Sequence, residues 1–157
     1  MTPPADPQIR TIETFIACWK KQDVAGILSL WSADFTQAIS PSTLGIPEKS
    51  RAEAEYVFAK LTSVLHDWKL EIRDIVNDIE GRKVVIYSSS VASTPVPDAH
   101  WIMEYVTKLS FTEDGTKIKR LEETLDTAKF MDVFPKIAPL ILANQSPYVD
   151  VIREHSS

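Results

Sequence analysis

From Trp101 to Asp126 apolar and polar side chains alternate with a period of two, broken once by Asp114-Gly115. Trp101, Met103, Tyr105, Leu109 and Phe111 share one face of the first run, and Glu104, Lys108 and Ser110 share the other, which is the signature of a half-buried strand. Asp-Gly between two such runs predicts a hairpin turn. On the returning strand Leu121, Glu123 and Leu125 fall on one side, and Arg120, Glu122, Thr124 and Asp126 on the other. Glu123 therefore points with the leucines, where an ionised carboxylate is costly unless it is paired, wetted or used. Upstream, Trp68, Leu70, Ile72, Asp74 and Val76 alternate with Lys69, Glu71, Arg73 and Asn77, and a turn at 78–81 leads into a strand over 82–94.

The first 66 residues follow a helical period instead. Asp6-Pro7 reads as an N-cap followed by proline at the first helical position, opening a helix with Ile9, Ile12, Ile16 and Trp19 on one stripe. Asp23 caps a second, short helix carrying Val24, Ile27, Leu28 and Trp31. A short strand over 34–40 ends at Pro41, and 42–49 reads as an irregular loop. Ser50-Arg51-Ala52-Glu53 fits a capping box for a third helix, with Ala54, Val57, Phe58, Leu61, Val64 and Leu65 along its apolar stripe and His66 at its end. Asp126 caps a last helix over 127–134, and Pro135 and Pro139 argue against its continuing as one helix through the apolar stretch that follows. Helices first and a long antiparallel sheet afterwards predict an α+β fold with the helices on one face of the sheet.

A chain of 157 residues is one domain in size, and its 44% apolar and 25% charged residues are ordinary for a soluble globular protein. The net charge of −5 argues against a nucleic-acid surface. No window approaches the ~18 apolar residues of a membrane span, and the first residues lack an apolar signal run. The expectation is a cytoplasmic protein. Cys18 is the single cysteine, which excludes an intramolecular disulfide, and the absence of an HExxH or similar cluster predicts no metal site. With four glycines spread along the chain there is no phosphate-binding loop, so no nucleotide cofactor is expected.

Trp101-Ile102-Met103-Glu104-Tyr105, the strand end 109–115 and the stretch from Lys117 to Asp126 are similar to the closing hairpin of small SnoaL-like proteins of fungal natural-product pathways, a branch of the NTF2-like superfamily. Pro41-Ser42-Thr43-Leu44-Gly45 and Val84-Val85 add to the resemblance, which spans about residues 9–134. It implies an NTF2-like cone, a curved antiparallel sheet wrapped around three helices with an interior pocket. Residues 1–8 would then be a flexible lead, 9–134 the domain, and 135–157 a partly apolar tail that covers the pocket mouth or joins a dimer contact. The resemblance further implies a cofactor-independent cyclase or isomerase acting on a hydrophobic polyketide, terpenoid or alkaloid intermediate, dimerising through the outer sheet face. That face carries Lys69, Glu71, Arg73, Glu104, Lys108, Arg120 and Glu122, a pattern any solvated strand surface also shows.

Within this frame Glu123 is the leading candidate for a general acid or base, because burial raises a carboxyl toward neutrality; as a rim residue it would instead reach solvent or an arginine. Tyr105 is the candidate hydrogen-bond donor, and Asp74 a second carboxylate unless a bulge turns it outward. Trp101 and Met103, with Gln37, Tyr56, Tyr87 and Ser89, are candidates for shaping the pocket or orienting substrate, although aromatic strand residues are more often simply core. Family members often carry tyrosine at the position of Trp101, whose indole cannot do acid chemistry. His100 has the parity of the outer face, so a dehydratase driven by imidazole, as in scytalone-dehydratase relatives, is the alternative enzyme reading. A ligand-binding or dimerisation module without chemistry is the other.

Overall fold

The computed structural model describes residues 4–142. Helices α1 (Pro7–Lys20) and α2 (Val24–Ser29) begin where the two aspartates place them: Asp6 accepts a hydrogen bond from the Gln8 backbone and Asp23 from that of Gly26. Strand β1 (Trp31–Ser40) follows, then a single 3-10 turn and the two-residue strand β2 (Lys49–Ser50). Helix α3 (Arg51–Val64) carries the full capping box between Ser50 and Glu53. Four strands come next, β3 (His66–Asp78), β4 (Lys83–Ser93), β5 (Trp101–Phe111) and β6 (Ile118–Leu125), and the described chain closes with α4 (Thr127–Ile141).

The strands form one six-stranded sheet in the order β2-β1-β6-β5-β4-β3. All neighbours are antiparallel except β1 and β6, which run parallel, so the sheet is mixed rather than wholly antiparallel. Bulges in β1, β3 and β5–β6 bend it, as an extra residue on one strand of a pair does. The inner face buries Val84, Ile86, Leu109 and Phe111, and the helices supply the opposing layer with Ile12, Phe15, Trp19 and Ile27. Each such large side chain, fully buried, contributes on the order of 1.5–3 kcal/mol. Gly115 adopts φ +72° in the β5–β6 turn, and a Cβ there would meet the Gln8 backbone nitrogen at 2.9 Å, so the hairpin tip fits against α1 only as glycine.

Several boundaries differ from the sequence pattern. Trp31 belongs to β1 and not to the second helix: Arg51 donates to the carbonyls of Leu28, Trp31 and Ser32, which ends α2 and holds the start of the strand. His66 begins β3 rather than ending α3. Gln8, grouped with the lead, is fully buried in α1, where its amide donates to Asn77 Oδ1 at 2.7 Å. Helix α4 continues through both Pro135 and Pro139 to Ile141. Two interior prolines cost roughly 3 kcal/mol each, whereas its six buried residues, among them Phe130, Phe134 and Ile137, contribute more than that against the sheet. The apolar stretch after Phe130 therefore packs onto the body up to Leu142, and Ala143 onward lies outside the described residues.

Candidate active site

Paired residues of neighbouring strands lie on the same face of the sheet, so register decides which side chains can meet. Ile39 of β1 pairs with Glu123 of β6, and Glu123 with Thr107 of β5. Gln37 pairs with Leu121 on one side and with Lys49 of β2 on the other. Tyr105 pairs with Leu125. These rows face the helices and open onto a cavity of about 160 Å³. An apolar cavity of that size holds a one- or two-ring body, and it is smaller than the ~300–1,000 Å³ of drug-sized sites.

The wall is strongly aromatic. All four tryptophans of the chain, Trp19, Trp31, Trp68 and Trp101, contribute to it. Trp31 stacks on Phe35 with ring centroids 3.8 Å apart, and Trp68 donates its indole N–H to the Trp19 carbonyl. Helix α4 closes one side with Phe130, Met131, Phe134 and Pro135. Between the two roles the sequence allowed for the apolar tail, its described part covers the pocket.

Glu123 and Lys49 are the charged side chains among the described residues that line this cavity. Glu123 is half-buried on a mostly apolar cavity wall, and burial pushes its carboxyl from the ordinary 4.5 up to about 7; a long 3.4 Å hydrogen bond from Thr107 and the Lys49 ammonium pull the other way without offsetting it. Lys49 is 4% exposed. Burial brings its ammonium down to about 8, opposed by the negative charges of Glu123 and Glu53. At neutral pH the site thus holds a carboxyl that takes and gives a proton readily, beside a cation.

Tyr105 is buried, and burial together with the Glu123 charge holds its hydroxyl well above the ordinary phenol range, so it stays protonated. Trp101 Nε1 donates to Tyr105 Oη at 2.9 Å and to Ser90 Oγ at 3.0 Å, and the two hydroxyls lie 2.7 Å apart. When Ser90 donates to Tyr105, the phenol proton is left to point into the cavity that Tyr105 lines. Trp101 accordingly acts on the phenol: where a hydroxyl at its position would add a second acid, the indole N–H fixes Tyr105.

Of the residues singled out from the sequence, Glu123, Tyr105, Trp101 and Gln37 come together in the cavity wall. The others do not. Asp74 is turned to the outer face by a bulge at Arg73, since Ile72 pairs with Ser88 but Asp74 with the exposed Tyr87, and its carboxylate accepts from the Ile75 backbone. Tyr87 and Ser89 share that outer face; Ser88 and Ser90 are the buried serines of β4. Tyr56 lies on α3 away from the cavity, with the Lys60 ammonium 5.8 Å from its ring centre. Met103 faces inward but is packed into the core at 1% exposure without reaching the cavity. His66 and His100 are exposed, outside the cavity wall. No group of three His, Cys, Asp or Glu side chains is gathered among the described residues.

Lys49 is the site residue the pattern missed. The one signal for it was its place immediately before the Ser50 capping box, which fixes where α3 begins and so anchors the residue preceding it.

A protein named Monooxygenase dmxR10, from Cryptosporiopsis sp., is 37% identical over 147 residues, 94% of this chain and 98% of its own length. Among solved structures, AusH from Aspergillus nidulans superposes with a TM-score of 0.68 at 27% identity over 80% of this chain and 88% of that one. PrhC from Penicillium brasilianum shares the fold with a TM-score of 0.73 at 16% identity, over 94% and 95% of the two chains. The family model for the SnoaL-like domain matches residues 12–121, and with that span and these relatives the chain belongs to the SnoaL-like family of NTF2-like proteins.

Proposed function

We propose that this protein is a cyclase or isomerase that works by general acid–base catalysis on a hydrophobic polyketide, terpenoid or alkaloid intermediate of secondary metabolism. The observation carrying the proposal is a carboxyl, Glu123, inside an aromatic cavity and poised at about 7. A catalytic acid or base is most effective with its value near the working pH. In the reaction we envisage, the Glu123 carboxylate removes a proton from a carbon next to a substrate carbonyl. The electron pair moves onto the carbonyl oxygen, which accepts a hydrogen bond from the Tyr105 hydroxyl. The protonated Glu123 then returns the proton to another atom of the delocalised anion, or to the atom at which a ring has closed. Aromatic walls select flat apolar rings, and Gln37 offers an amide to a substrate oxygen. These groups supply a complete proton-transfer cycle from the chain's own residues.

A second reading is favoured by the relative's name, monooxygenase. It begins with the same proton removal: the carbanion adds to molecular oxygen, the peroxide anion takes the proton back from Glu123, and loss of water leaves a new carbonyl. The imidazole-driven dehydratase is less favoured, because neither His66 nor His100 lines the cavity.

We further propose a homodimer through the outer sheet face. There Ile102, Val91 and Tyr87 are 50%, 44% and 43% exposed, beside the ion pairs Arg73–Glu104 and Lys108–Glu122. Exposed apolar residues ringed by charge are a common mark of an association surface.

The test is to delete the gene, isolate the metabolite that accumulates, and incubate it with wild type and Glu123→Gln. A product of unchanged mass made by wild type, and made at least ~100-fold more slowly by the variant, supports isomerisation or cyclisation. Gain of oxygen supports the second reading. Turnover by Glu123→Gln at the wild-type rate removes Glu123 from the chemistry.

A further inference from the structure

Lys49 is an unusual resident of an apolar cavity. It sits on a strand of two residues, between the exposed Glu48 and Ser50, with water one residue away on either side. A lysine so placed ordinarily runs its stem along the surface and keeps its ammonium wet. Here pairing with Gln37 turns it to the inner face, and the side chain ends among the cavity residues at 4% exposure. Its electrostatic partners include Glu123 on β6 and Glu53 in the first turn of α3. Of these two, Glu123 lines the cavity with it.

We propose that Lys49 binds the substrate oxygen on which negative charge develops, and that the substrate enters as a neutral carbon or oxygen acid of one or two rings, such as a cyclic ketone or a phenol, and not as a carboxylate. This rests on the reading of Glu123 as the base. The argument is one of charge conservation in a site where an uncompensated charge is expensive. Before the reaction the cavity holds an ammonium and a carboxylate. The carboxylate takes the substrate proton and becomes neutral, while the electron pair of the broken C–H or O–H bond settles on the substrate oxygen. The ammonium then faces the substrate anion in place of the Glu123 carboxylate, and the transfer leaves the net charge of the cavity unchanged. A substrate arriving as a carboxylate adds a negative charge with no second cation among the described residues of the cavity wall to meet it. Two-ring size follows from the cavity volume, and flatness from the four indoles.

Tyr105 and Lys49 divide the work on the oxygen. The phenol supplies a directed hydrogen bond held in place by Trp101 and Ser90, and the ammonium supplies the charge. Gln37, between Lys49 and Leu121 in register, is neutral and cannot substitute for that charge.

The probe is 4-nitrophenol, a one-ring neutral acid whose phenolate is coloured, titrated into the full-length protein and followed by absorbance and calorimetry. 4-Nitroanisole, its uncharged methyl ether, reports whether the cavity is intact. Wild type is expected to bind nitrophenol with the phenolate band enhanced over free solution at the same pH. Lys49→Met is expected to lose about 10- to 100-fold in nitrophenol affinity, the size of one hydrogen bond to a charged group, along with the enhanced band. Its affinity for nitroanisole should stay within about twofold, which also shows that it has folded. Lys49→Arg should restore most of the enhanced band. In Glu123→Gln, where the competing carboxylate is gone, phenolate binding should be kept or strengthened. Equal phenolate enhancement in wild type and Lys49→Met, with nitroanisole still bound, overturns the proposal. The two readings fail separately: Glu123→Gln turning over normally would remove the base, while loss of phenolate binding in Lys49→Met would still place the oxyanion at Lys49.

Discussion

Replacing Glu123 with glutamine should abolish a pH dependence of folding stability that the wild type owes to this one group. The carboxyl titrates at 4.5 in an ordinary environment and at about 7 in the cavity. Between these values the folded chain holds the proton and the unfolded chain has released it, so stability falls as pH rises. By linkage the loss from about pH 5 to about pH 7 is roughly 2 kcal/mol. For a chain of this size that corresponds to about 4–8 °C in Tm. Lys49, at about 8, stays protonated across this window in the wild type. Its value drops further once the Glu123 charge is gone, and a lowered lysine makes stability rise with pH, the opposite sign. Of the other groups facing the pair, Glu53 is held below its usual range by hydrogen bonds from Ser50, and Tyr105 well above its own, so neither titrates here. Urea unfolding at a series of pH values should show a falling stability curve for wild type and a flat or rising one for Glu123→Gln. Parallel curves for the two proteins would refute the placement of a raised carboxyl at this position.

Tyr105→Phe should lower kcat by about 10- to 100-fold with little change in KM, since it removes a hydrogen bond that strengthens as charge develops; Ser90 and Trp101 remain bonded to each other at 3.0 Å, so Tm should change by only a few degrees. Asp74→Asn should leave turnover of the accumulated metabolite within about twofold of wild type, because the carboxylate lies on the outer face. Ile102→Glu should convert a dimer to a monomer in light scattering by placing a charge in the exposed apolar patch; an unchanged mass would put the interface elsewhere.

What the sequence reveals about this site depends on how local the determining interaction is. The alternation around Trp101 and Leu121 places Tyr105 and Glu123 on the inner face because β5 and β6 are joined by a short connection over 112–117 and keep register over most of their length. Asp74 fails the same reasoning because one extra residue, at Arg73, reverses the parity of the rest of β3, and nothing in the local pattern marks it. Tyr87 and Ser89 follow from register as well: β4 buries Val84, Ile86, Ser88 and Ser90, so the odd positions face out. Lys49 is invisible to periodicity, since a strand of two residues has no period, and its direction is set by pairing with a strand twelve residues earlier. Helix α4 shows packing overriding propensity, its prolines outweighed by the buried phenylalanines and isoleucines. The caps, in contrast, act within four residues, and Asp6, Asp23, Ser50 and Asp126 are all where the sequence puts them.

The most direct measurement of the central claim, that Glu123 removes a proton from a substrate carbon, is deuterium uptake from heavy water into the metabolite that accumulates when the gene is deleted, read by mass spectrometry. Wild type is expected to introduce deuterium at the carbon it deprotonates, and Glu123→Gln to do so at least ~100-fold more slowly while still binding the compound. Incorporation by Glu123→Gln at the wild-type rate, or product formed by wild type with every substrate C–H retained, would contradict it.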